Sequence, residues 1–128
     1  MDRDAPTLGE GKLCYVEIPA RDVEESARFY RDAFGWTLRR RGDGTTAFDD
    51  GVNEVSGTWV LGRPPAEPGL LVYVMVADAD ATVERVLAAG GDVVQPVDRS
   101  RDDVVARVRD PAGNVLGVFE QPGLAGAP

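Results

Sequence analysis

The sequence predicts an α+β fold made of two tandem βαβββ modules, whose strands form a curved mixed sheet, or half-barrel, around a cavity. A strand, a helix and three further strands can be traced in residues 12–62 and again in residues 70–122. The two copies keep register under a shift of 56 residues, which brings Asp22 onto Asp78. A proline-rich segment at 63–69 separates them and suits neither a helix nor a central strand.

The first module begins with a strand at Leu13–Pro19, followed by a helix at Val23–Phe34. Asp22 is a good N-cap for this helix, and Glu25, three residues later, completes a pair that resembles a capping box. Gly35 is placed to end the helix. The three strands that follow are predicted at Trp36–Arg40, Thr45–Asp49 and Val55–Leu61.

The second module repeats this order. Its first strand is predicted at Leu70–Val76, and its helix at Ala79–Ala89 ends at a pair of glycines. The segment Asp110–Asn114 has proline second and glycine fourth, which is typical of a type I turn. The remaining strands are predicted at Val93–Pro96, Val104–Arg109 and Val115–Glu120.

The composition of the chain disfavours several classes of binding partner. Its 128 residues fit one domain, and its formal net charge of −8 disfavours nucleic acids and anionic membranes. The longest apolar stretch, Leu70–Ala77, is too short to span a bilayer, and the N-terminal residues lack the pattern of a signal peptide. A single cysteine, Cys14, excludes an intrachain disulfide. We therefore expect a cytoplasmic protein whose partners are neither nucleic acid nor membrane.

The chain contains no histidine. This excludes Ser-His-Asp and Cys-His mechanisms and every metal site that needs two histidines. Carboxylate chemistry and weak binding of a hard cation by oxygen ligands stay open. Strand alternation places Cys14 on the side that faces the helix, so we expect a buried structural thiol rather than a nucleophile.

Three segments carry a resemblance to a known family. They are Tyr15–Asp22 with the helix that follows it, the run Ala88–Gly91 after the second helix, and the turn Asp110–Asn114. Together these segments resemble the vicinal oxygen chelate superfamily, which includes glyoxalase I, bleomycin-resistance proteins and extradiol dioxygenases. The resemblance covers about residues 12–122 and implies two βαβββ units that curve around a ligand cavity. It also implies a dimer, which in this family often completes the site.

The chain departs from the metal-dependent members of that family. Those members carry a histidine on the first strand of each module, where this chain has Tyr15 and Leu71, and a glutamate on the last strand, where it has Gly117. The fourth ligand would lie near Gly57–Trp59, which holds no carboxylate. We therefore expect no metal and no other cofactor, and no metal-dependent glyoxalase or dioxygenase activity.

Strand alternation and the internal repeat predict which residues line the cavity. On the first strand Tyr15 and Glu17 point inward, away from the helix. Pseudo-symmetry matches Trp59 to Gly117 and Leu61 to Phe119, which places both on the inward side. The result is an aromatic cup for a small organic ligand. Its predicted lining is Tyr15, Glu17, Trp59, Leu61, Tyr73, Met75, Arg107 and Phe119.

Three roles for Glu17 and three functions stay open. Glu17 either pairs with Arg107, orients a ligand that carries a cationic nitrogen or a donor, or acts as a general acid or base. The chain either binds a small organic ligand without chemistry, is a metal-independent lyase or isomerase that uses Glu17, Tyr15 or Tyr73, or is a dimer with a vestigial cavity. Exposed strand edges and apolar surface predict a homodimer.

Overall fold

The computed structural model describes residues 5–10, 12–65 and 70–124. The first module contains a strand β1 at Tyr15–Pro19, a helix α1 at Val23–Phe34 and the strands β2 at Thr37–Arg40, β3 at Thr46–Asp49 and β4 at Ser56–Val60. The second module contains β5 at Tyr73–Val76, α2 at Ala79–Ala88, β6 at Asp92–Asp98, β7 at Val104–Arg109 and β8 at Val115–Glu120.

Each module forms its own four-stranded mixed sheet. The strand order is β1-β4-β3-β2 in the first sheet and β5-β8-β7-β6 in the second. In both sheets the first strand pairs in parallel with the last, and the other pairs are antiparallel. The α+β fold of two βαβββ modules is therefore confirmed. Each sheet is open and uncurled, so neither closes around a cavity by itself.

The two helices begin and end on local signals. The Asp22 carboxylate accepts a hydrogen bond of 3.1 Å from the backbone N–H of Glu25, and Asp78 does the same for α2. Gly35 ends α1 with a φ of 74°, the left-handed conformation that glycine adopts without strain. In the part of the chain that the structure describes, no helix combines the length and apolar character of a membrane span.

The strand bounds differ from the prediction at several ends. The first strand of each module begins two or three residues later than predicted, because Leu13 and Leu70 are exposed and unpaired with a neighbouring strand. β6 runs beyond the predicted Val93–Pro96, and it accommodates Pro96 because it is an edge strand with irregular register. Of the predicted linker, 66–69 lies outside the described residues.

One continuous core holds the modules together. α1 covers one face of the first sheet, α2 covers one face of the second, and the two helices pack on each other. The side of each sheet that its helix does not cover, which we call its open face, stays in contact with solvent. Both modules contribute large side chains to this core, among them Phe29, Tyr30, Phe48, Trp59, Val86, Leu116 and Val118.

Candidate functional site

The open face of the first sheet presents Tyr15 and Glu17 from β1. The guanidinium of Arg41 donates a hydrogen bond to the Tyr15 hydroxyl and lies 5.5 Å from the centre of its ring. The Glu17 carboxylate forms an ion pair of 2.6 Å with Arg63, in the segment after β4. Loop arginines thus already engage the polar groups of both residues, while Tyr15 as a whole stays 45% exposed.

A second ion pair lies on the same face. Arg39 on β2 donates to Asp49 on β3, with Nε and Oδ2 2.9 Å apart, and the hydroxyl of Ser56 donates to Oδ1 of the same carboxylate at 2.6 Å. The Arg39 guanidinium, together with the Ser56 hydroxyl, holds the pKa of Asp49 below its ordinary value. Arg39 with Asp49 and Arg63 with Glu17 are therefore two neutral pairs on this face, whereas Arg41 is bonded to the uncharged Tyr15 hydroxyl.

The open face of the second sheet is built differently. Tyr73, Gly117 and Arg107 lie side by side in register on β5, β8 and β7. The ring of Tyr73 lies across Gly117, and a Cβ at position 117 would overlap it. Met75 is 58% exposed beside them, and Phe119 is half-buried opposite Met75. Arg107 is half-buried, and among the described residues it makes neither a hydrogen bond nor an ion pair.

Six of the eight predicted lining residues divide between these two open faces. Tyr15 and Glu17 lie on the first. Leu61 is exposed, but it follows the end of β4 and is not part of either face. Tyr73, Met75, Phe119 and Arg107 belong to the second. Because the modules meet mainly through α1 and α2, one chain presents two half-sites rather than a single cup. That these residues bind a ligand stays a prediction.

Trp59 does not line a cavity, contrary to the prediction. It is buried in the helix-covered core, where its ring centre lies 5.9 Å from that of Tyr30 and 4.9 Å from that of Phe48. In the register Trp59 pairs with Ile18, and its counterpart in the second module is Val118 rather than Gly117. The pseudo-symmetric match was wrong by one residue, and this holds for Leu61 too, because the counterpart of Phe119 is Val60. A shift of one residue moves a side chain to the opposite face of a strand.

Two further expectations are corrected, and two residues were missed. The partner of Glu17 is Arg63 rather than Arg107, and Cys14 is exposed rather than buried. α1 covers the end of β1 but not its beginning. Along the side of the strand that faces the helix, Cys14 is exposed, Val16 is half-buried and Ile18 is buried. Arg63 and Arg41 escaped the sequence reasoning because both lie outside strands, where alternation carries no signal.

The family's metal positions do not fit a metal in this chain. Tyr15 and Leu71 stand where histidine would, and the Tyr73 ring fills the space that a side chain at Gly117 would need. Gly57 faces the core against the Phe48 ring. Within the described ranges, no group of three His, Cys, Asp or Glu side chains is arranged to hold a metal ion.

Comparison with known proteins identifies the family. The model of the Glyoxalase/Bleomycin resistance protein/Dioxygenase superfamily matches residues 12–118. A glyoxylase-like domain-containing protein of Didymella fabae is 30% identical, over 88% of this chain and 96% of its own length. The anthracycline biosynthesis protein DauV of Streptomyces sp. (strain C5) is 32% identical over 99% of this chain. The chain spans about half of DauV, 52% of its length.

Solved structures show the same fold. The hypothetical protein SA1046 from S. aureus superposes with a TM-score of 0.70 at 21% identity, over 87% of this chain and 94% of that one. TioX from Micromonospora sp. ML1 superposes with a TM-score of 0.62 at 25% identity, over 86% of this chain and 98% of that one.

Proposed function

The chain belongs to the Glyoxalase/Bleomycin resistance protein/Dioxygenase superfamily, and we propose that it binds a small organic ligand on the open faces of its two sheets. The observation that carries the proposal is the exposure of large side chains there. Tyr15 is 45% exposed and Tyr73 47% exposed, and each belongs to the first strand of a module. Exposed apolar and aromatic groups on one surface are typical of a binding site.

The ligand that suits these faces is flat and aromatic. The Tyr73 ring lies along the sheet across Gly117, which has no side chain to displace it, and the outer face of the ring is therefore available for stacking. The relatedness to DauV, named as an anthracycline biosynthesis protein, supports the same class, since anthracyclines contain a flat core of fused rings. We propose that a fused-ring molecule of this general shape is the ligand.

A second copy of the chain would complete the site. In this arrangement the open face of the first sheet of one copy covers the open face of the second sheet of its partner. Three observations support a homodimer. The two half-sites lie on different sheets of one chain, and DauV has about the length of two such chains. β1 and β5 are also edge strands, which a partner would cover.

Binding without metal chemistry is part of the proposal. A metal-independent lyase or isomerase would need an available acid or base among Glu17, Tyr15 and Tyr73. The Glu17 carboxylate is held by Arg63, and the Tyr15 hydroxyl accepts from Arg41. Because two of these three groups are already engaged, the geometry favours a binding site over a site of proton transfer.

The test is calorimetric titration with anthraquinone-2-carboxamide, a neutral probe of three fused rings. The parent protein should bind it, and Tyr15→Ala and Tyr73→Ala should each weaken the affinity by about tenfold through loss of a stacking surface. Tyr73→Phe keeps the ring and serves as the matched control. Absence of binding to the parent, or binding that neither alanine variant weakens, would refute the proposal.

A further inference from the structure

Resting on the proposed function, we infer that the ligand is a flat aromatic anion and that Arg107 recognises its negatively charged group, a carboxylate or a phenolate. Two features of the molecule support this assignment: the position of Arg107 beside Tyr73, and the charges of the two open faces.

Tyr73 and Arg107 flank the same glycine. They are the register neighbours of Gly117 on either side, so their backbones are about 10 Å apart, two strand spacings. Gly117 places no side chain between them, and the Tyr73 ring lies across it. A molecule stacked on that ring therefore has its edge within reach of the long Arg107 side chain.

The guanidinium of Arg107 has no acceptor among the described residues, and it lies beside the Tyr73 ring on the open face of the second sheet. On the first sheet Arg39 is paired with Asp49, and Arg63 is paired with Glu17. Across β6 the register neighbour of Arg107 is Gln95, which is neutral. Among the described residues no carboxylate reaches the Arg107 guanidinium, although the chain carries a net charge of −8.

A guanidinium without an acceptor is suited to a planar anion. It offers five N–H donors in a fixed fork, which matches the two oxygens of a carboxylate. Partial burial of Arg107 strengthens such a bond, because water competes less for the donors. A cationic ligand is disfavoured, since Glu17, the carboxylate that would attract it, is neutralised by Arg63.

Arg109 provides a matched comparison. It lies two residues further on the same strand and the same side, but its register neighbours are Val115 and the carboxylate-bearing Asp92. Like Arg107, it makes neither a hydrogen bond nor an ion pair among the described residues, but it is set apart from the Tyr73 ring. Replacing Arg109 changes the net charge of the protein by the same amount as replacing Arg107, without altering the surface formed by Tyr73 and Gly117.

The experiment compares three probes of one shape by calorimetric titration of the full chain: anthraquinone-2-carboxylate, the neutral anthraquinone-2-carboxamide and the cationic 2-(aminomethyl)anthraquinone. The parent should bind the carboxylate about tenfold or more tightly than the amide. Arg107→Gln should remove this preference, because it should weaken binding of the carboxylate much more than binding of the amide. Arg109→Gln should keep the preference, and melting curves should show that both variants fold.

Each outcome decides a separate statement. If the amide binds and the carboxylate binds no better, the inference about charge is wrong while the proposed function stands. If the cation binds best, Glu17 rather than Arg107 selects the ligand, and the inference is overturned. If Arg107→Gln keeps the preference for the carboxylate, Arg107 is not the selecting residue. If no probe binds, the proposed function fails first.

Discussion

Tyr30 on α1 donates a hydrogen bond of 2.8 Å to Oδ2 of Asp110, 80 residues away in the turn before β8. Asp110 is buried, and its carboxylate also accepts from the backbone N–H groups of Ala112 and Asn114. Burial, reinforced by the nearby Asp110, raises the pKa of Tyr30 well above its ordinary value, so its hydroxyl stays a donor. This bond links the first module to the turn that starts the last strand of the second.

Tyr30→Phe should destabilise the protein by about 1–3 kcal/mol, because the Asp110 carboxylate would stay buried while losing one of its donors. Urea unfolding at neutral pH measures the change. Tyr73→Phe is the control, because this tyrosine is 47% exposed, and it should change stability by less than about 0.5 kcal/mol. Equal losses in both variants would show that the bond between the modules contributes nothing specific.

Ser56→Ala should lower the free energy of unfolding more at neutral pH than in acid. The pKa of Asp49 is lowered in the folded state, so its contribution is present above the unfolded pKa of about 4 and is lost as the pH falls through the lower folded pKa. Removing the 2.6 Å bond from Ser56 should therefore cost about 1 kcal/mol at pH 7, and less near pH 3. A loss that is the same at both pH values would contradict this.

Local signals in the sequence were sufficient for the helices and for the turn before β8. The side chains of Asp22 and Asp78 cap the helices that they were predicted to cap. The N–H of Gly113 bonds to the carbonyl of Asp110 at 3.0 Å, as the predicted turn requires. Strand starts could not be located in this way. An apolar residue such as Leu13 is part of a strand only when a neighbouring strand reaches it.

The candidate site was predicted less well, because a strand face depends on register. One residue separates the predicted match of Trp59 from the observed one, and this puts the ring in the core. The segments between the helix and the last strand differ in length between the modules, so the 56-residue shift no longer holds there. The pairing of Glu17 with Arg63 depends on the path of a loop, which hydrophobic periodicity does not encode.

The purified protein should contain zinc, nickel or iron at well below one equivalent per chain, as measured by elemental analysis. Such ions require three or four nitrogen, sulfur or carboxylate donors, and positions Tyr15, Leu71 and Gly117 supply at most one phenol. The same measurement after incubation with excess zinc and gel filtration is the control for loss during purification. A stoichiometric ion that survives this treatment would overturn the prediction.

Met75→Glu should shift the protein from dimer to monomer. Sedimentation at tens of micromolar measures the change, because a dimer with an interface of ordinary size should form at that concentration. The parent should sediment at twice the chain mass of 13.7 kDa. A carboxylate at Met75 would charge the apolar open face that we expect the partner to cover. Leu87→Glu, on α2 and similarly exposed, is the matched control and should leave the dimer intact. A monomeric parent would refute the predicted assembly.

Gly57→Ala and Gly117→Ala should differ sharply in cost, although both introduce the same methyl group. A Cβ at Gly57 would overlap the backbone carbonyl of Val16 and the buried Phe48 ring, and neither can move without disturbing the sheet. A Cβ at Gly117 would overlap the ring of Tyr73, which is half-exposed and can swing into solvent. We expect a loss of about 3 kcal/mol or more for the first change and below about 1.5 kcal/mol for the second.

Gly117→Ala also tests whether the position of the Tyr73 ring matters for binding. Gly117→Ala should weaken anthraquinone-2-carboxamide as strongly as Tyr73→Ala does, because the displaced ring no longer lies along the sheet. In the double variant the two stability losses should not add, since removing the ring also removes the overlap. Additive losses, or normal binding by Gly117→Ala, would mean that the ring position over Gly117 has no part in the site.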